Sequence, residues 1–63
     1  MNSNIAQRVA DDPKLSDAAK ALGNLIYGNP EASFSVDRCA RLLEWPEQRV
    51  RKHWDELTAA GYQ

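Results

Sequence analysis

The stretch SFSVDRCARLLEWPEQRVRKHWDELTAAGY, Ser33 to Tyr62, decides the fold. Val36, Cys39, Ala40 and Leu43 recur at i, i+3, i+4 and i+7, which puts them on one side of a helix. Asp37, Arg38, Arg41 and Glu44 then face the other side. Ser35 stands where a side-chain oxygen caps the first free N–H groups. Trp45-Pro46 reads as a turn, because proline is tolerated at a helix start, where its missing donor costs nothing. Glu47 follows in the first turn of a second helix, whose positive dipole end favours an acid. The apolar face of that helix is Val50, Trp54 and Leu57, with His53 alongside. Its outer face is Gln48, Arg49, Arg51, Lys52, Asp55 and Glu56, and Gly61 is the stop signal.

Upstream, Ser16 and Asp17 open another helix. Leu15, Ala18, Ala19, Leu22, Leu25 and Ile26 form its apolar stripe. Gly28-Asn29-Pro30 ends it, with glycine in the left-handed position past the last turn. Residues 29–34 form a loop with Phe34 turned inward. In residues 1–12, Ile5, Ala6, Val9 and Ala10 fall at helical spacing, with Ser3 or Asn4 as a cap. This segment is an extension or a short helix that frays, or that docks on the domain or on a second copy. It ends at Asp12-Pro13, because a residue before proline is pushed out of the helical region. Asp11-Asp12 reads as a polar linker, and residues 13–63 form the main domain. The expectation is an all-α fold, a small three- to four-helix bundle containing a helix-turn-helix.

Size and composition narrow the function. A domain of 63 residues buries only ~60% of its unfolded surface, which leaves little scaffold for a catalytic cleft. Hydrophobic residues make up 43% and charged residues 27%, a globular mixture. One cysteine and one histidine cannot form an internal disulfide or a zinc site. Cys39 is expected in the core. His53 has no carboxylate partner at evident spacing, and a packing role is expected for it, as for Trp45 and Trp54. No paired carboxylates, phosphate loop or triad is visible, so neither an enzyme nor a bound metal or cofactor is expected. The N-terminal residues lack an apolar run of signal-peptide length and no segment is long enough to span a membrane, so a cytoplasmic place is expected.

Net charge is −1, but the basic residues are unevenly spread. Between Arg38 and Lys52, the bases Arg38, Arg41, Arg49, Arg51 and Lys52 stand against only Glu44 and Glu47. A local basic patch matters more for DNA than the total. Two helices joined by a turn of three to four residues match the helix-turn-helix plan. With Val50, Trp54 and Leu57 buried, Gln48, Arg49 and Lys52 turn outward near the helix start. Glutamine suits adenine edges, arginine guanine edges and lysine phosphates. Arg38, Arg41 and Arg51 are placed to reach phosphates.

The run LSDAAKALGNLIYGNPEASFSVDRCARLLEWPEQRVRKHWDELTAAGY resembles the core of winged helix-turn-helix domains of plasmid and phage replication or regulatory proteins. Leu15-Ser16, Phe34-Ser35, Ala40, Leu43, Val50, Leu57, Gly61 and Tyr62 carry the resemblance, which spans about three quarters of the chain. It implies a small DNA-binding regulator. Four departures accompany it. Glu44 replaces a common turn glycine, Pro46 a Ser or Thr cap, Glu47 brings negative charge to the helix tip, and the wing hairpin expected after Gln63 is lacking. A wingless form is expected to act on double-stranded DNA as a homodimer or with a partner. The alternative is a protein-binding adaptor or phage-encoded inhibitor. It would keep the fold without binding DNA and hold a host protein through its charged helix or through Ile5, Val9 and Tyr27.

Overall fold

A computed structural model describes residues 5–29 and 31–62. The roles given to Ser3, Asn4 and Pro30 lie outside the described residues. The chain is all-α, with α1 Ile5–Asp11, α2 Asp17–Tyr27, α3 Val36–Leu43 and α4 Glu47–Ala59. Helix α2 packs against both α1 and α4, and α3 packs on α4. The core joins Val9, Leu15, Ala19, Leu22, Cys39, Ala40, Val50 and Leu57, so every helix contributes to one cluster.

The apolar stripes read from the sequence face this core. In α2, Ala19 and Leu22 are fully buried. In α3, Cys39 and Ala40 are buried, while Val36 and Leu43 are half-buried against them. In α4 the order differs from expectation. His53 is buried at 8% exposure, whereas Trp54 is only half-buried. Helix α1 is docked on the domain, with Val9 fully buried. Gly23 lets it approach, since a Cβ there would lie 2.6 Å from Val9 Cγ1.

Two caps follow the expected chemistry. Ser16 Oγ accepts from the Ala19 N–H at 3.1 Å, and Ser35 Oγ accepts from the Arg38 N–H at 3.1 Å. The end of α2 does not. Gly28 has φ −78°, not the expected left-handed value. Crowding explains the glycine: a Cβ would stand 2.4 Å from the Asn24 carbonyl oxygen, which accepts the Gly28 N–H.

Among the described residues, the left-handed positions are Glu44, with φ 60°, and Gly61, with φ 98°. Beyond α3, the Ala40 carbonyl accepts from both Glu44 and Trp45 N–H groups. Beyond α4, the Gly61 N–H donates to Thr58 and the Tyr62 N–H donates to Leu57, each at 3.0 Å, a Schellman turn. That turn sends Tyr62 back across the molecule. Its hydroxyl donates to Asp12 Oδ2 at 2.9 Å, and its ring lies 6.3 Å from that of Tyr27. Asp12 also accepts from the Lys14 N–H at 2.9 Å. It is thus a tie point rather than a mere linker.

Candidate nucleic-acid interface

Helix α3, the turn Glu44-Trp45-Pro46 and α4 present the sequence-derived site residues together. Gln48, Arg49, Arg51 and Lys52 on α4, and Arg38 and Arg41 on α3, are all exposed. The reason is helical geometry. Successive residues turn by about 100°, so burial of Val50, His53 and Leu57 leaves Gln48, Lys52 and Asp55 at the centre of the outer face. Arg49 and Arg51 then occupy opposite flanks.

The tip of α4 has no side-chain cap, because Pro46 supplies only its carbonyl, which accepts from Arg49 and Val50 N–H groups at 3.0 and 3.2 Å. Glu47 lies in this first turn, where its charge complements the helix dipole. It also lies 4.0 Å from Arg51. One turn into α3, Arg41 pairs with Asp37. Both pairs are well exposed, and such pairs are worth 0–1 kcal/mol and are screened by salt, as an order of magnitude. Either arginine can therefore change partner at small cost. Arg38 lies over the Phe34 ring at 5.6 Å, and Arg49 over the Trp45 ring at 4.3 Å. Among the described residues, Lys52 has no carboxylate within ion-pair distance.

Behind this face lies a polar cluster that differs from the sequence expectation. His53 does have a carboxylate partner: its Nδ1 is 2.9 Å from Glu56 Oε1, three residues on. Glu56 is accordingly turned inward rather than outward. It accepts from the Ser16 N–H at 2.9 Å through Oε2 and from the Ser16 hydroxyl at 3.0 Å through Oε1. The Ser16 backbone N–H, then His53, hold the Glu56 carboxyl below the usual range for glutamates. The i, i+3 spacing of His53 and Glu56 is visible in the sequence. The contribution of Ser16, 40 residues away, is not.

Serine, histidine and glutamate together invite comparison with a catalytic triad, but the geometry differs. A histidine that activates a hydroxyl uses one ring nitrogen for the hydroxyl and the other for the carboxylate. Here Ser16 Oγ is 3.5 Å from Nδ1, the nitrogen that also faces Glu56. The hydroxyl donates to the carboxylate. The cluster therefore ties the start of α2 to α4.

Elsewhere, burial pushes the Cys39 thiol pKa up, which suits a core residue rather than a nucleophile. Leu42 is 55% exposed on α3, beside an open hollow lined by Ser35, Arg38 and Arg41. Among the described residues, no helix is long and apolar enough to cross a membrane. A scan of protein-family models and searches of curated proteins and of solved structures each gave no match to this chain.

Proposed function

We propose that the chain is a small DNA-binding regulator that sets α4 in the major groove. Gln48, Arg49 and Lys52 face base edges and Arg38, Arg41 and Arg51 face phosphates, with two copies reading two half-sites. One observation carries this reading: six polar or basic side chains of one helix pair are exposed, while the inner side of α4 is locked into the core. The winged helix-turn-helix resemblance of the sequence supports it.

The test is a gel shift with random duplex DNA at low salt, followed by a salt titration. Binding that weakens linearly in log affinity against log salt reports phosphate contacts. Sizing the protein with and without duplex tests the dimer in the same samples. No shift and no heparin retention would reject the DNA reading.

A second reading is favoured by the paired arginines. Arg41 and Arg51 already have acidic partners, and Leu42 is exposed between basic residues of α3. A protein-binding adaptor or phage-encoded inhibitor would use that surface, with Leu42 as its apolar anchor in place of the Ile5, Val9 and Tyr27 patch, which full burial of Val9 removes. Loss of partner binding in Leu42→Asp, with no DNA binding in the parent chain, would favour it.

A further inference from the structure

Trp45 connects the buried cluster to the exposed helix tip. Its ring meets the His53 imidazole edge-on, with centroids 6.0 Å apart and planes at 62°. His53 is held by Glu56, and Glu56 by the backbone and hydroxyl of Ser16. The Trp45 backbone is held as well, since its N–H donates to the Ala40 carbonyl at 3.0 Å. The same indole also carries Arg49, whose guanidinium carbon is 4.3 Å from the ring centroid.

Stacking of this kind covers one face of a guanidinium and leaves its in-plane N–H donors free. Side chains on a helix lean toward its N-terminus, so the stack holds Arg49 over the turn at the tip of α4. The tip is where a recognition helix meets base edges. An arginine without such support gives up rotamer freedom when it docks, and docking is weakened accordingly.

We infer that Trp45 is the positioning residue for Arg49: it presets the guanidinium so that its donors can engage a guanine edge. This rests on the DNA reading above, and the test separates the two. In the free protein, the Arg49 δ-methylene protons lie upfield under the indole ring current and return to ordinary positions in Trp45→Met. A wild-type spectrum without that displacement overturns the inference, with no variant needed. Duplexes enriched from a random pool by the wild-type chain then supply a site, and single-base variants of it are titrated. Arg49→Ala abolishes the preference at one base pair. Trp45→Met loosens the preference at that same pair by about 2–5-fold, Trp45→Phe retains it, and the double variant loses no more than Arg49→Ala alone. An even loss across all base pairs, or additive losses, overturns the positioning role while leaving DNA binding intact. If no duplex is enriched, the DNA reading fails and the inference fails with it.

Discussion

The two ends of α4 are built on opposite terms. At its C-terminal end, Glu56 gathers Ser16 and His53, Leu57 is buried, and the Gly61 turn delivers Tyr62 to Asp12. At its N-terminal end there is no side-chain cap, the turn residue Glu44 is left-handed without being glycine, and the side chains of Gln48, Arg49 and Lys52 are exposed. The C-terminal end is tied down by polar and apolar contacts together, while the N-terminal end is held on its inner side by Val50 and presents its outer side. A helix divided this way can lose exposed tip residues without losing the fold, whereas a change at its anchored end is felt throughout.

The largest break in this comparison is expected at Leu57. Leu57→Ala empties a core position that is 2% exposed and should cost about 2–5 kcal/mol of unfolding free energy, read by urea denaturation. A loss below about 1 kcal/mol would show that the anchored end is not held by packing.

Next comes Glu56→Gln, which weakens charge-assisted bonds to Ser16 and His53. A loss of about 1–2 kcal/mol is expected near neutral pH. Because the folded-state pKa of Glu56 is lowered, its contribution is complete above the ordinary value of about 4.5. It is lost as the pH falls from there through the lower folded value. The Asp12 carboxyl is held low as well, first by the Lys14 backbone N–H and then by Tyr62, and adds to the same acid slope. Stability curves from pH 6 to about 2 should therefore be shallower for Glu56→Gln than for the parent chain, and superimposable slopes would contradict the clamp.

The two left-handed turns give a contrast of sign. Gly61→Ala places a Cβ at φ 98° and should cost about 1 kcal/mol, although nothing crowds that position. Glu44→Gly removes a side chain from φ 60° and should stabilise by about 0.5–1 kcal/mol. Thermal melts of the two variants should move in opposite directions. Equal shifts of the same sign would mean that backbone strain does not distinguish the turns.

The smallest effects are expected at the presented end. Gln48→Ala and Lys52→Ala should leave unfolding free energy within about 0.5 kcal/mol of the parent, while weakening any duplex binding. A large stability loss from either would turn the tip into part of the scaffold.

What the sequence made legible follows a physical division. Residues within one or two turns of each other determine helix stripes and caps. Accordingly the Ser16 and Ser35 caps and the α3 face are readable from spacing and residue type alone, and the α4 face in part, with His53 rather than Trp54 buried and Glu56 turned inward. The Asp37–Arg41 and Glu47–Arg51 pairs had a signal too, acids four residues before arginines. The contacts that were not legible join residues far apart in the chain: Glu56 with Ser16, Tyr62 with Asp12, Val9 with Gly23. No local pattern marks them, because each arises only after the helices have docked. Gly28 departs from the pattern for another reason. A glycine beyond a helix reads as left-handed by habit, but here it relieves crowding against the Asn24 carbonyl.

The Tyr62 hydroxyl reaches both the Asp12 carboxylate and the Arg8 carbonyl, across 50 and 54 residues of chain. Formed first, a contact of that separation would close nearly the whole polypeptide into a loop at the full entropic cost, and that cost falls once the helices between have docked. Short helices such as α1 gain little from their own hydrogen bonds. Folding should therefore place this contact late, after α1 has packed Val9 against Gly23 of α2 and α4 has joined α2. In the native ensemble the same order runs backward. Release of Tyr62 frees the last turn of α4 and the Asp12 end of α1 first, while Val9 keeps α1 on α2.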